Sequence, residues 1–310
     1  MQKILGSIFV LGIFINAFAV KASSLIATQS LSFGTLIPLT SSGSVSVSMS
    51  GALTTGGSVT VAPSGTGYYQ GLMNFHATGL SAVVEVVTVS VLDNSVVLNN
   101  SRSGGGTVTV SNFVTNNSLT VSLLNPNINN IPLGGTMSFT SASKGGTYTG
   151  SVRVRTTGLL SGTTNATVPI TLTLWNALSV NQVSELNFGS IERLTGNSVV
   201  RLNPATSQRT VVSGASGINL VSAPASTAGQ FGISGEPNVN ISITLPSSVT
   251  LIGSNGGSMT VNNFTASPSS TATSLDNNGN RTLLVGADLN IGANQTAGTY
   301  SGTYNLTINY

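Results

Sequence analysis

Apolar and polar residues alternate with a period of two along most of the chain. From residue 167 to residue 174, Val168, Ile170, Leu172 and Leu174 alternate with threonine or proline, and residues 239–245 and 283–291 repeat the pattern. Because successive side chains of a β-strand point to opposite faces, each run predicts a strand with one buried face. Valine, isoleucine and threonine dominate these runs, as is typical of strands.

Clusters of Gly, Asn, Ser and Pro separate the alternating runs. Asn125-Pro126-Asn127 and Asn277-Asn278-Gly279 are two examples, and both have the residues that β-turns require. No apolar stripe with a 3.6-residue period occurs after residue 22. The pattern therefore predicts an all-β chain, and most simply a β-sandwich.

The first 22 residues have a different pattern. Lys3 precedes an apolar run from Ile4 to Phe18, and small residues at Ala17 and Ala19, or at Val20 and Ala22, offer cleavage sites. This order is typical of a secretory signal peptide. The alternative, a transmembrane anchor, needs about 20 apolar residues, which is more than this run contains. We predict a signal peptide at residues 1–22 and an exported mature chain without a transmembrane helix.

An internal repeat sets the number of domains. Three motifs recur in the same order at offsets of 155, 151 and 152 residues. They are Leu31-Ser32-Phe33-Gly34 with 186–189, residues 105–113 with 256–264, and Gly146-Thr147-Tyr148-Thr149-Gly150 with 298–302. Conserved order and spacing predict two related modules. We expect a first, divergent sandwich at residues 23–176 and a second sandwich at residues 177–310.

The second module resembles a family of secreted bacterial proteins known as domain of unknown function 4402. The resemblance covers residues 180–310 and is carried by residues 186–189, 228–235, 243–246, 257–261, 285–291 and 297–304. The family is itself similar to spore coat protein U and to archaic chaperone–usher pilins. The resemblance implies immunoglobulin-like antiparallel sandwiches and a setting in surface fibres, but no catalytic or ligand residues. The first module departs from the family pattern, because an extra hairpin follows Gly150 before Val168.

Composition excludes several functional classes. Charged residues make up 5% of the chain, against about 25% in ordinary soluble proteins. The formal net charge is only +3 and the arginines are scattered, so the basic patch that holds a nucleic acid is missing. Cysteine is absent, which excludes disulfides, zinc thiolate sites and cysteine nucleophiles.

Candidate catalytic and metal sites lack partners. His76 is the one histidine, and no carboxylate lies near it in sequence. The seven carboxylates are dispersed, so a pair for sugar hydrolysis is unsupported, although spacing does not exclude it. Residues 276–280 resemble a calcium loop but lack its ligand spacing and its terminal glutamate, so a hairpin turn is the preferred explanation. The glycines at 104–106 have no phosphate-binding lysine after them. We predict a non-enzymatic protein without cofactor or metal.

The last predicted strand is the candidate assembly element. One face carries Tyr300, Gly302, Tyr304, Leu306, Ile308 and Tyr310, and the other is polar. Three interpretations remain open: a core strand, a pilin-type terminal strand beside a groove that accepts a neighbour's strand, or the terminal signal of an outer-membrane barrel. At the other end, Leu25, Ala27, Gln29, Leu31 and Phe33 share a face. They form either a donor strand or the first strand of the first module.

Two functional hypotheses follow. The first is a pilin-like structural subunit or two-domain adhesin at a Gram-negative-type cell surface, exported through the periplasm, with fibre subunits, a periplasmic chaperone and a surface or glycan receptor as partners. Tyr68, Tyr69 and Leu72 are then candidates for a surface-contact loop, although ordinary strand positions explain them as well. The second is a monomeric module that binds carbohydrate or another ligand, for which Trp175 and a few tyrosines are available, although packing between the modules better explains Trp175.

Overall fold

The computed structural model describes residues 22–56, 59–80, 84–268 and 273–310, so residues 1–21 of the predicted signal peptide lie outside the described part. The regular secondary structure of the described residues consists of β-strands and one 3₁₀ turn at Ala215–Gly217, which confirms the all-β prediction. Across these same ranges, no helix is long and apolar enough to cross a membrane. The strands form two separate groups, which we call the first and second sandwich.

The first sandwich is built from fourteen strands that form one hydrogen-bonded sheet folded around a core. They are β1 (Ser24–Gln29), β2 (Leu31–Pro38), β3 (Gly43–Val47), β4 (Leu53–Thr55), β5 (Val59–Val61), β6 (Tyr68–Tyr69), β7 (Gly71–His76), β8 (Glu85–Val91), β9 (Ser95–Asn100), β10 (Thr107–Thr115), β11 (Ser118–Val121), β12 (Asn127–Phe139), β13 (Gly146–Gly158) and β14 (Gly162–Leu174).

The order of pairing is β1-β7-β12-β10-β9-β13-β14-β2-β5, with β8 beside β13 and β3 beside β12. Every pair is antiparallel except β14 with β2, which is parallel. The chain thus begins on one layer with β1 and passes to the other with β2. Residues 25–33 therefore form the first strands of their own sandwich, which resolves the choice that the sequence left open.

A single cluster of buried apolar side chains fills the first sandwich. Its largest members come from both layers and include Phe33, Phe75, Tyr148, Leu133 and Ile170, all nearly inaccessible to solvent. The alternation that predicted the strands is the alternation of this core, since β8 and β14 bury every second residue. The Tyr148 hydroxyl donates to the backbone oxygen of Lys144 at 2.7 Å, which satisfies its one polar group inside the core.

The second sandwich has thirteen strands in sheets of eight, three and two strands. They are β15 (Ser179–Ser184), β16 (Ile191–Arg193), β17 (Ser198–Leu202), β18 (Arg209–Ser213), β19 (Ile218–Leu220), β20 (Gly229–Ser234), β21 (Asn240–Thr244), β22 (Ser248–Gly253), β23 (Ser258–Ser267), β24 (Thr273–Ser274), β25 (Asn280–Ile291), β26 (Tyr300–Ser301) and β27 (Thr307–Asn309).

The two sandwiches share most of their topology. Pairing β15-β20-β25-β23-β22-β26 in the second repeats β1-β7-β12-β10-β9-β13 in the first, and β27 with β21 repeats β13 with β8. A local irregularity is repeated too, because β10 and β23 each carry a bulge at an asparagine with φ 49°, Asn112 and Asn263. Asparagine tolerates this left-handed conformation better than other non-glycine residues. The repeated sequence motifs therefore correspond to repeated structure.

Candidate functional site: an open sheet edge on the second sandwich

β14 closes the first sandwich. It pairs with β13 over thirteen residue pairs, from Gly146 opposite Leu174 to Gly158 opposite Gly162. Its other edge runs parallel to β2, with Ile170 opposite Leu31. The inward side chains of β14 between Val168 and Leu174 are fully buried. β14 therefore fills the space between β13 and β2 and satisfies the backbone of both.

No strand takes the place of β14 in the described part of the second sandwich. There, β27 pairs with β21 on one side only. Residues 186–189, which match the start of β2, make only an isolated bridge from Asn187 to Thr227. The unpaired region between residues 304–310 and residues 186–189 is called the open edge below. An unpaired edge with apolar side chains is a template for another strand.

The open edge leaves the core of the second sandwich incomplete. Tyr304, Leu306, Ile308 and Tyr310 are only half-buried, and their alternation with exposed polar residues follows the predicted pattern. The counterparts of the first three in the first sandwich, Val152, Val154 and Thr156, are fully buried under β14. The core is also divided into two clusters, where the first sandwich has one. The side chains that β14 contributes to the first sandwich are missing from the described part of the second, and the hydrophobic core is accordingly divided into two parts.

Tyr304 is the first residue of the segment 304–310 in the open edge. Its ring contacts Phe264 at a centroid distance of 5.3 Å and Phe231 at 6.1 Å. Its hydroxyl is buried and has no hydrogen-bond partner among the described residues. Burial raises the pKa of Tyr304 to about 12. A buried phenol without a partner has lost its bonds to water without compensation, which is unfavourable for the free protein.

Tyr310 connects the open edge to the first sandwich. Its ring packs edge-on against Trp175, with centroids 5.3 Å apart, and its hydroxyl donates to the backbone oxygen of Asn176. The same hydroxyl accepts from the backbone N–H of Glu236 at 2.6 Å. Burial is the main cause that raises the pKa of Tyr310. Trp175 is therefore a packing residue between the sandwiches, as the sequence indicated.

Glu236 completes this junction. Its carboxylate is buried, pairs with Arg102 at 2.5 Å and accepts from the backbone N–H of Asn176 at 2.9 Å. Arg102 and Asn176 belong to the first sandwich or its exit, whereas Glu236 follows β20 of the second. The buried carboxylate of Glu236 therefore receives its hydrogen bonds from residues on the other side of the junction. The junction thus has specific contacts, and it includes the last residue of the open edge.

The opposite end of the first sandwich exposes leucines. We call it the outer pole and define it by the turns at residues 122–126 and 159–161. Leu124 and Leu159 are 96% and 95% exposed, and Leu123 and Leu160 are also exposed. Neither turn contains a charged residue. The turns lie close together because Glu85 stands opposite Val121 and its carboxylate accepts from the N–H of Leu160 at 2.6 Å.

The other predicted contact residues lie on different strands and differ in exposure. Tyr68 and Tyr69 form the short strand β6 beside β2, and both are exposed. Leu72 lies on β7 opposite Gln29 and is half-buried. Of the candidate assembly residues, Tyr300 donates its hydroxyl to the backbone oxygen of Thr296 at 2.6 Å, and Gly302 is exposed. The outer pole was missed in the sequence, although leucine pairs within turns are an unusual signal.

The remaining candidate chemistry has local structural roles. His76 ends β7, and its Nδ1 lies 2.6 Å from the Asn127 side-chain oxygen. The Asp276 carboxylate accepts from the N–H groups of Asn278 and Asn280, both at 2.8 Å, in the turn before β25. These bonds hold the pKa of Asp276 below its ordinary value. Within the described ranges, no group of three His, Cys, Asp or Glu side chains is arranged to hold a metal.

Comparisons with known proteins give the family. In the solved structures, the chain is similar to the CsuC–CsuE chaperone–tip adhesion subunit pre-assembly complex of Acinetobacter baumannii, with 11% identity, a TM-score of 0.32 and coverage of 76% of this chain and 89% of that one. It is also similar to the Bacillus anthracis TIE protein, with 10% identity, a TM-score of 0.15 and coverage of 74% and 51%. No curated protein matches the chain.

The family model described as domain of unknown function 4402 matches residues 24–157 and 178–310. The two matches contain β1–β13 and β15–β27, and both leave β14 out. Each copy of the family domain therefore ends at the strand that borders β14 or the open edge. The chain belongs to the family described as domain of unknown function 4402 and contains two copies of its domain.

Proposed function

We propose that this protein is an exported, pilin-like adhesin whose second sandwich accepts an extended strand from another chain. The observation that carries the proposal is β14, which completes the first sandwich and has no counterpart in the described part of the second. Strand addition to a sheet edge derives affinity from main-chain hydrogen bonds and specificity from alternate side chains. The proposed role is structural and requires no catalysis.

The first strands support a terminal position in such a fibre. β1 is paired with β7, and β2 is paired with β14, so residues 24–38 are engaged in their own sandwich. A repeating subunit must both accept and donate a strand. This chain has an open edge to accept one, whereas the described start of the chain is already occupied. The proposal therefore favours the adhesin hypothesis over an internal subunit.

The outer pole is the proposed contact surface. Leu124 and Leu159 are almost fully exposed, and Leu159 lies at the end of β14 farthest from the junction. Exposed apolar groups concentrated in one place mark interaction sites more often than isolated ones do. The two turns contain no charged side chain that would bind a polar ligand. We therefore propose an apolar surface as the partner of the outer pole, in preference to a glycan.

An open edge also needs protection before assembly, because unpaired apolar edges join other chains and aggregate. The proposal therefore includes a periplasmic chaperone that covers residues 304–310 until a fibre strand replaces it. Export through the periplasm is supported by the predicted signal peptide at residues 1–22.

The test uses the chain's own closing strand. A peptide with the sequence of residues 162–174 is added to the purified mature protein, and binding is measured by calorimetry and by hydrogen exchange. We expect the peptide to bind and to protect residues 304–310 and 186–189. At about 100 times its Kd, it should stabilise the second sandwich by about 2.7 kcal/mol.

A peptide with Val168, Ile170 and Leu172 replaced by serine is the matched control, because it keeps the backbone and loses the buried face. In a second variant, a copy of residues 159–174 is appended after Tyr310. This chain should unfold at higher temperature and no longer bind the peptide. A second sandwich that stays monomeric, binds no peptide and gains nothing from the appended strand would contradict the proposal and favour a self-complete binding module.

A further inference from the structure

Tyr304 occupies space that belongs to the closing strand in the first sandwich. The repeated Gly-Thr-Tyr motif aligns Tyr304 with Val152, and Val152 stands opposite Val168 of β14. A Cβ atom placed on Gly71, the first residue of β7, would lie 3.1 Å from the Val168 side chain. At the equivalent Gly229, the first residue of β20, a Cβ atom would instead overlap the Tyr304 hydroxyl. The phenol ring thus reaches the place where the valine of β14 packs.

The residues on either side of Tyr304 are more similar to their counterparts in the first sandwich than Tyr304 is to Val152. Leu306 aligns with Val154, which stands opposite Ala166, and Gly302 aligns with Gly150, which stands opposite Ile170. A closing strand that suits the first sandwich would therefore fit the second on both sides of Tyr304. At Tyr304 itself, a valine on the incoming strand would collide with the ring. The buried hydroxyl there also lacks a hydrogen-bond partner among the described residues.

We propose that Tyr304 selects the strand that enters the open edge, by admitting only a small residue with an oxygen acceptor at the position opposite it. This inference rests on the proposed function and names the partner's chemistry. The partner is an extended segment, antiparallel to residues 304–310, with apolar residues two positions before and after a serine or similarly small residue. The serine oxygen supplies the acceptor that the phenol lacks.

The test compares three peptides with the sequence of residues 162–174: the unchanged peptide, one with Val168→Ala and one with Val168→Ser. We expect the alanine peptide to bind the mature protein about tenfold tighter than the unchanged peptide, because overpacking of that size costs about one factor of ten in affinity. The serine peptide should bind tighter than the alanine peptide. Hydrogen exchange confirms that binding protects residues 304–310.

Two protein variants separate the effect of the size of the Tyr304 ring from the effect of the hydrogen bond that its hydroxyl donates to the serine peptide. In Tyr304→Val, the unchanged peptide should bind at least as well as the alanine peptide, because the ring is gone. In Tyr304→Phe, the advantage of alanine over valine should remain, and the advantage of serine over alanine should disappear. Tyr304→Phe keeps the ring contacts with Phe231 and Phe264, whereas Tyr304→Val loses them, so the unfolding temperatures of both variants are measured as a check.

The outcomes distinguish this inference from the function on which it rests. If no peptide binds any of the proteins, the proposed strand acceptance fails. If all three peptides bind the unchanged protein and both variants with equal affinity, strand acceptance stands, and the selective role of Tyr304 is overturned.

Discussion

Buried carboxylates of this chain hold its structure together. Glu85, Glu236 and Asp288 are nearly inaccessible to solvent, and each has its charge compensated by hydrogen-bond donors. Glu85 accepts from the backbone N–H groups of a turn, Glu236 pairs with Arg102, and Asp288 receives two bonds of 2.7 Å from Arg201. In a chain with so few charges, these positions are specific structural contacts and not general surface charge.

Asp288 is expected to make stability depend on pH. Arg201 holds the pKa of Asp288 below its ordinary value of 3.8, and Asn263 adds a third bond at 3.1 Å. A lowered folded-state pKa contributes stability above the unfolded pKa and loses it as pH falls through the folded value. Asp288→Asn should therefore lower the free energy of unfolding by about 1–3 kcal/mol at pH 7 and reduce its loss between about pH 4 and pH 2.

Urea unfolding at pH 7 and across the range from about pH 4 to pH 2 measures the free energy of unfolding of both proteins. Glu192→Gln is the control, since Glu192 is exposed and its exchange should change stability by less than about 0.5 kcal/mol. If the free energy of unfolding falls equally between pH 7 and acid pH in Asp288→Asn and in the unchanged protein, Asp288 does not cause the pH dependence.

At the scale of single residues, the sequence pattern predicted which side chains share a face of a strand, but not which residues contact each other across the fold. The alternation from Tyr304 to Tyr310 was readable because strand geometry fixes it. The pair of Glu236 with Arg102 was not, because its members lie 134 residues apart and meet only across the junction. The overlap of Tyr304 with the position of Val168 was also hidden, since it depends on superposing two complete sandwiches.

At the scale of elements, the two copies differ because the first has the β13–β14 hairpin, whose second strand closes the sheet. Its departure from the family pattern was visible in sequence as an extra hairpin after Gly150. Its role was not, because β14 acts by parallel pairing with β2, and Ile170 and Leu31 are far apart in sequence. Register between distant strands has no local sequence signature beyond the buried face of each strand.

Glu85 is expected to fix this hairpin. Its carboxylate accepts from Leu160 N–H at 2.6 Å and from Ser161 N–H at 3.1 Å. Glu85→Ala leaves both N–H donors without this partner and should lower the free energy of unfolding of the first sandwich by about 1–3 kcal/mol. Hydrogen exchange of β14 should accelerate, whereas exchange in the second sandwich should not. Glu85→Gln, which keeps one acceptor, should give a smaller effect. Unchanged protection of β14 in Glu85→Ala would contradict this role.

At the scale of the whole molecule, the two sandwiches differ in whether their sheet is closed. The first is closed and exposes leucines at the outer pole, and the second has the open edge and contacts the first through Tyr310 and Glu236. The repeat in the sequence predicted two related modules, because three motifs kept their order and spacing. It could not predict that one copy is closed and the other open.

Adsorption to an alkyl-coated surface tests the outer pole. The double variant Leu124→Ser, Leu159→Ser should adsorb less than the unchanged protein at equal concentration, as measured with a quartz microbalance. Its free energy of unfolding should stay within about 0.5 kcal/mol, because both side chains are almost fully exposed. Leu194→Ser in the second sandwich is the matched control, since Leu194 is 50% exposed and does not belong to the outer pole. Equal adsorption of all three proteins would exclude the outer pole as the contact surface.

The parallel pair of β2 and β14 has a mechanical consequence. The polypeptide enters the first sandwich through β1 at the outer pole, where Ser23 bonds to Ser161, and leaves it at Leu174, about 40 Å away along β14. Tension applied between these two points runs along the neighbouring strands β2 and β14 and loads their hydrogen bonds together, in shear. Bonds loaded together must break together, whereas bonds at the end of a hairpin open one at a time. A first sandwich anchored at the outer pole and pulled through the junction is therefore loaded in its strongest direction.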